Sequence, residues 1–160
     1  VWGGMPELYL LIILSSFFNP GLLILLVLLS LFGWLGLSDY VRAEFLKNRQ
    51  TDYVLAARAM GVGNREIMWR HILTNSLTPV LAFLPFRISG AVLALTSLDF
   101  LGLGVPASQA SLGELLAQGK DNLDAWWIGL SAVATLTVML LLLVMIGEGL
   151  RQAFDVRARS

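Results

Sequence analysis

Cysteine is absent from this 160-residue chain, which excludes disulfides, thiolate nucleophiles and metal sites built on thiolates. Charged residues are scarce, at 14%, whereas about a quarter of the residues of a typical soluble domain are charged. The formal net charge is zero, so no general electrostatic attraction to nucleic acid is expected. These shortages argue against a soluble domain and against a nucleic-acid-binding protein.

The groups that enzymes need are missing as well. His71 is the single histidine and has no carboxylate cluster at the spacing of metal ligands, so we predict no metal site and expect it on a helix face. Residues 113–120 approach a phosphate-binding loop, but the interval between the glycines is one residue too long, and Asp121 stands in place of the required Ser or Thr. The sequence therefore predicts no catalytic residue, no cofactor and no nucleotide site.

Apolar residues dominate what is present. They make up 57% of the chain, and the mean hydropathy is +0.76, which predicts a membrane protein with an all-α, polytopic helical bundle. The apolar runs predict spans at about residues 6–18, 22–37, 79–98 and 125–146. The first run is too short to cross about 30 Å of hydrocarbon unless its helix begins upstream of residue 1. Because the chain also opens without Met or a basic signal-peptide start, we expect it to be the C-terminal part of a longer protein.

The third predicted span contains two prolines and a charge. Thr78 and Pro79 form a helix-start signal, and Pro85 is expected to kink the helix that follows. A charge such as Arg87 inside a span commonly faces a bundle interior or an aqueous cavity. Arg87 is therefore a candidate path-lining residue, or else it pairs with a carboxylate of a neighbouring span or of a partner subunit.

The polar stretch at residues 52–75 interrupts the apolar runs. Thr51 or Asp52 can cap a first helix, and Gly61 can end that helix in the left-handed conformation. Asn64 can then cap a second helix, over about residues 65–73. The pattern predicts a helix, a tight glycine turn and another helix.

Such a unit can read DNA or dock a partner. The spacing approaches that of a DNA-binding helix-turn-helix at a set of small, apolar and basic residues: Ala57, Gly61, Val62, Ile67 and Arg70. As a docking element, Ala56 and Ala57 would let a partner surface approach closely, and Val54 and Met60 would offer apolar contact. The DNA interpretation is the weaker one, because the unit has no third helix for a core of its own.

The basic residues predict how the chain is oriented. Six of the eleven Lys and Arg residues lie between Arg42 and Arg70, three lie in the C-terminal tail, and Lys120 alone lies in the other long loop. By the positive-inside rule, residues 38–78 and the C-terminus face the cytoplasm, and the Lys120 loop faces outward. Four predicted spans return both ends of the chain to the same side of the membrane, which agrees with this assignment.

The polar stretch resembles the EAA loop of the membrane subunits of bacterial ATP-binding-cassette importers, in particular the peptide, oligopeptide and microcin C branch. Leu55 stands where that family usually has Glu, and Thr74 where it usually has Pro. The loop residues that carry the resemblance are Tyr53, Val54, Ala56, Ala57, Arg58, Ala59, Gly61, Arg70, His71, Ile72, Leu73 and Asn75. The resemblance continues through Phe100-Leu101-Gly102-Leu103-Gly104, Ser111-Leu112-Gly113, Ala125-Trp126-Trp127 and Gly147-Glu148.

The resemblance implies a permease subunit of the bacterial cytoplasmic (inner) membrane, with residues 1–160 as the C-terminal part of one transmembrane domain and four of about six spans present. The residues that would couple it to cytoplasmic ATP-binding subunits are Tyr53, Ala56, Ala57, Arg58, Met60 and Gly61. It further implies a second, homologous permease subunit and an extracytoplasmic solute-binding protein, with membrane lipid around the spans and no nucleic acid. The alternative is a proton-driven carrier that uses Arg87, Asp99 and Glu148.

Overall fold

The computed structural model describes residues 7–17, 21–106 and 109–157, and every regular element in these ranges is helical. This confirms the all-α prediction. The elements are α1 (Glu7–Phe17), α2 (Leu22–Asn48), α3 (Asp52–Ala59), α4 (Asn64–Glu66), a π-helix (Ile67–Leu73), α5 (Thr74–Phe100), α6 (Leu112–Asp121), a 3-10 turn (Leu123–Ala125) and α7 (Trp126–Arg157).

Three helical stretches in the described part of the chain are long and apolar enough to cross a membrane: Leu23–Asn48, Asn64–Phe100 and Leu123–Phe154. They contain the predicted spans 79–98 and 125–146 and all but the first residue of the predicted span 22–37. The first predicted span is represented by α1, which has 11 residues, whereas a crossing needs about 20. Residues 1–6 and 18–20 lie outside the described ranges, so the count of four spans stays a prediction.

The predicted start of the third span at Thr78 and Pro79 is wrong, because the helix already runs from Asn64 and both Pro79 and Pro85 lie inside it. A proline removes one backbone donor, whereas breaking the helix would leave several backbone groups without partners. Continuing the helix is therefore the less costly choice where lipid offers no hydrogen bonds. The kink expected at Pro85 stays a prediction.

The chain divides into two units. Unit 1 combines Val1–Gly33 with Phe86–Met145, and unit 2 combines Trp34–Pro85 with Ile146–Ser160. Unit 1 has a core of buried apolar side chains from α1, α2 and α5: Leu11, Leu25, Leu28, Phe32 and Leu98. Burial of one such side chain contributes about 1.5–3 kcal/mol where it is removed from water, and in lipid the gain comes from close packing instead.

Asp99 organises the loop that follows α5 in unit 1. Its Oδ1 accepts a hydrogen bond from the Val105 backbone N–H at 2.9 Å. Gly104 and Gly113 lie so close to Asp99 that a Cβ on either would collide with it. Ser111 then caps α6, because its Oγ accepts the Glu114 N–H at 3.0 Å.

The backbones of α6 and α7 approach closely at Gly119 and Gly129. A Cβ added to Gly119 would lie 2.5 Å from the Gly129 Cα and 2.6 Å from its N. These distances are far below an ordinary contact of about 3.5–4 Å, so only glycine fits at position 119 without moving a helix.

We predict that Gly119→Ala destabilises the protein by about 1–3 kcal/mol, since the added methyl group must push two backbones apart. Gly129→Ala is the matched control: its Cβ would lie 3.6 Å from the Gly119 Cα. Alanine also favours a helix over glycine by about 1 kcal/mol. Thermal unfolding in detergent should therefore show a lower Tm for Gly119→Ala alone, and equal Tm values for the two variants would contradict the close approach.

In unit 2 the end of α2 lies beside the start of α5. Tyr40 stacks on Phe83 with ring centroids 4.5 Å apart, and its hydroxyl donates to the Pro79 carbonyl at 3.4 Å. About two turns further along α2, Asn48 Nδ2 donates to Ser76 Oγ at 3.1 Å. The polar stretch between these two helices is therefore anchored at both of its ends.

Candidate functional site

The helix α3 begins at Asp52 and has Thr51, one of the two predicted caps, at the capping position, but without the expected side-chain bond. Thr51 Oγ1 donates instead to the Asn48 carbonyl at 2.6 Å, and no side-chain bond caps the helix. A threonine hydroxyl can bond the preceding turn as readily as the following one. Thr51 thus joins the end of α2 to the start of α3.

The left-handed stop at Gly61 is confirmed, with φ of 79°. The Gly61 N–H donates to the Arg58 carbonyl at 3.0 Å and the Val62 N–H to the Ala57 carbonyl at 3.1 Å. This pair of bonds is the Schellman motif, in which the last carbonyls of the helix find donors in the turn that ends it. Val62 also packs against the apolar cluster described below.

The second predicted helix is present, but it is continuous with the helix that follows it. It begins at Asn64, with Gly63 at the capping position and no side-chain cap bond, so the prediction of an Asn64 cap is wrong. After Glu66 the chain winds as a π-helix, Ile67–Leu73, and passes directly into α5. The predicted interruption between the second helix and the start signal at Thr78 and Pro79 is therefore absent.

Side chains bond carbonyls of the π-helix, which is a rare and wide helical form. Thr74 Oγ1 donates to the Trp69 carbonyl at 3.4 Å, and Asn75 Nδ2 donates to the His71 carbonyl at 2.9 Å. His71 is half-buried within this segment, so its prediction as a helix-face residue is confirmed. Polar residues that read as a loop in the sequence thus support a continuous helix.

A buried apolar cluster holds α3 against the segment after the turn. Val54 is 0% exposed and Ala57 is 2% exposed, and they pack with Ile67 and Ile72. The prediction that Val54 and Ala57 are accessible to a partner is therefore wrong. Residues three apart lie on one side of a helix, and the glycine turn folds that side inward.

The opposite side of α3 is open. Met60 is 76% exposed, and the residues that share this exposed surface are Tyr53, Leu55, Ala56, Arg58, Ala59 and Gly61. We call this set the outer face. It combines two small alanines with flanking apolar and aromatic side chains, a surface that a partner can approach closely.

Asn48 is a functional candidate that the sequence did not reveal. The Tyr53 hydroxyl donates to Asn48 Oδ1 at 3.1 Å, and Asn48 Nδ2 donates both to Ser76 Oγ at 3.1 Å and to the Glu44 carbonyl at 3.0 Å. One amide side chain thus connects α2, α3 and α5. An asparagine near a helix end is common, and nothing in its sequence neighbourhood points to partners 28 residues away.

The charges of the loop are mostly solvated. Arg70 and Glu66 form an exposed pair at 3.4 Å, and such surface pairs contribute at most about 1 kcal/mol. Arg58 and Arg65 are exposed and form no ion pair with the residues that the structure describes. Outside the loop, Glu148 and Arg151 form another surface pair at 3.9 Å.

Arg87 lies on α5 in unit 1 and is partly buried. Its Nη2 donates to the Gly33 carbonyl of α2. Among the side chains that the structure describes, no carboxylate lies within ion-pair distance of it. An arginine at the centre of a membrane helix costs about 2.5–3.5 kcal/mol on insertion scales. A further hydrogen-bond acceptor would offset part of this cost.

Comparison with known proteins decides the family. The model for the inner membrane component of binding-protein-dependent transport systems matches residues 1–160. The chain belongs to this family. Together with the long apolar helices, membership identifies it as a multi-pass protein of the inner membrane.

Relatives from the same family differ in how much of their length the chain covers. The peptidoglycan transport system permease protein YejE of Agrobacterium fabrum is 52% identical over 157 residues, which are 98% of this chain and 41% of that protein. The inner membrane ABC transporter permease protein YejE of Escherichia coli is 51% identical over 155 residues, 97% of this chain and 46% of that protein. A provisionally named peptide transport system permease of Brucella suis is 40% identical over 157 residues, 98% of this chain and 53% of that protein. The chain therefore spans about half the length of these relatives.

We predict that Ala57→Leu disrupts the loop, because three extra carbon atoms must enter the cluster with Val54 and Ile67, at a cost of about 1–3 kcal/mol. Ala56→Leu is the matched control, since Ala56 is exposed one position away on the same helix. Hydrogen exchange measured by mass spectrometry should rise over residues 52–73 in Ala57→Leu and stay at the wild-type level in Ala56→Leu. Equal exchange in both variants would show that α3 is not packed as described.

Proposed function

We propose that this chain is part of the permease subunit of an ATP-driven importer and that it forms the translocation path for peptides or peptide-like solutes. It couples to a separate cytoplasmic ATPase through residues 52–75. One observation carries the proposal: α3 is fixed on its inner side by Val54 and Ala57 and is open on its outer face. A helix held this way can be displaced by another protein and can transmit that displacement to the helices that it contacts.

The anchoring of the loop supports this role. The helix α3 is tied to the end of α2 by Thr51 and by the bond from Tyr53 to Asn48, and Asn48 also bonds Ser76 of α5. Any displacement of the outer face is therefore carried to two helices of the membrane domain. A flexible loop would absorb the same displacement in its own backbone.

The partners follow from the family and from the relatives. Cytoplasmic ATP-binding subunits would engage the outer face, with Tyr53, Ala56, Arg58 and Met60 in contact and with Ala57 and Gly61 setting its shape. A second homologous permease subunit would complete the path, and an extracytoplasmic solute-binding protein would deliver the solute. Residues 38–78 and the C-terminus would face the cytoplasm, as the basic residues indicate.

Arg87 is our candidate residue for the lining of the path. The described part of unit 1 gives its charge no carboxylate partner, and charges inside spans commonly face a bundle interior or water. The relatives named for peptide and peptidoglycan transport support a solute of peptide character.

The docking proposal predicts that Met60→Asp weakens association with the ATPase subunits about tenfold or more, because a charge would have to be buried in the contact. Gln152→Asp adds the same charge at an exposed position of α7 that is remote in sequence from the loop. The measurement is the amount of ATPase that co-purifies with each variant from membranes, identified by mass. Wild-type recovery with Met60→Asp would rule out docking through the outer face.

The proposal that α3 is a lever, which passes a displacement by the ATPase to α2 and α5, predicts that Gly61→Val uncouples ATP hydrolysis from uptake. A β-branched residue at φ of 79° is strained by about 1–2 kcal/mol or more, which distorts the turn that fixes α3. Gly63→Val is the control, because Gly63 has φ of −63° and ψ of 144°, which valine adopts readily, and has open space around its Cα. The readout is ATP-driven uptake into proteoliposomes. If Gly61→Val transports like Gly63→Val, the lever proposal fails, and uptake driven by a proton gradient without ATPase would favour the carrier alternative.

A further inference from the structure

Arg87 has an unusual partner for a partly buried charge. Its Nη2 bonds a backbone carbonyl, that of Gly33, which is a neutral dipole. The residue at that position is a glycine, and a Cβ there would lie 3.4 Å from Nη2. The contact orients the guanidinium across to α2 and leaves its positive charge without a counterion among the described residues.

Arg87 lies far from the other charged residues of its own helix. Along its own helix the nearest charged residues are Asp99, about 18 Å away, and Arg70, about 25 Å away, at a rise of about 1.5 Å per residue. Both lie beyond the reach of an arginine side chain, so no charged residue of its own helix compensates the guanidinium.

The bonding capacity of the guanidinium is largely unused. It carries five N–H donors in a rigid planar fork, and the Gly33 carbonyl takes one of them. The remaining donors match the two oxygens of a carboxylate, the anion with which arginine forms bidentate pairs. A guanidinium with one neutral partner and no counterion among the described side chains is suited to an anion that binds and then dissociates.

We propose that Arg87 binds a carboxylate group of the transported solute and that the Gly33 carbonyl positions the guanidinium for it. This inference rests on the proposed function as an importer permease and names the chemical group that the path recognises. In a solute of peptide character, that carboxylate comes from the C-terminus or from an acidic side chain.

The test compares ATP-driven uptake by the complete transporter in proteoliposomes, using trialanine as the free acid, its C-terminal amide, and an amide of Ala-Glu-Ala. Binding of the same labelled peptides to the purified permease complex is the second readout. The variants are Arg87→Gln and Arg87→Lys. The control is Arg42→Gln, which removes the same group from an exposed position at the cytoplasmic end of α2.

We expect Arg87→Gln to reduce uptake and binding of free trialanine about tenfold or more, with Arg87→Lys retaining part of both and Arg42→Gln matching the wild type. The trialanine amide should be handled equally by the wild type and by Arg87→Gln. If the Ala-Glu-Ala amide is affected like the free acid, any carboxylate is recognised; if it is unaffected, the C-terminal carboxylate is the group read. Both results support the proposal.

Three outcomes would overturn it. Arg87→Gln could reduce uptake of the free acid and of the amide alike. It could also lower the yield of assembled complex, and this result would make Arg87 the partner of a carboxylate in another subunit. It could also change nothing. A wild-type transporter that shows no ATP-driven uptake of any peptide, while the complex assembles, would instead overturn the proposed function and this inference with it.

Discussion

The loop between α2 and α5 depends on one buried contact, in which Val54 and Ala57 pack against Ile67 and Ile72. The helix α3 has only eight residues, and a helix of that length is not stable alone in water. It therefore depends on this contact. The contact also decides which side of α3 is accessible. Everything proposed for the loop follows from this division between a fixed inner side and an exposed outer face.

Polar side chains extend the same arrangement into the membrane helices. Asn48 connects three helices through its amide, and Thr74 and Asn75 bond carbonyls of the π-helix. The π-helix then passes into α5 without a break, although two prolines follow. In a region where lipid supplies no hydrogen bonds, a chain that keeps its backbone bonded remains helical through signals that would end a helix in water.

The sequence predicted the elements that depend on local chemistry. Gly61 lies in the left-handed conformation because a tight helix stop needs it. Predictions that required knowledge of partners failed. Thr51 bonds backwards to Asn48, and Val54 turns inward to Ile67 and Ile72, because residues distant in the chain compete for the same groups. Asn48 itself was not recognised, since its partners are set by packing.

By itself, the sequence determined that the chain is helical and lies in a membrane, because scarcity of charge and long apolar runs leave no other solution for the backbone. It also determined where the polar loop stands, and through the order of its motifs the family. Tertiary structure alone decided which face of α3 is open, that the loop continues into α5, and that Arg87 meets the Gly33 carbonyl. Exposure and pairing depend on which distant residues come together, and the order of residues along a chain does not state this.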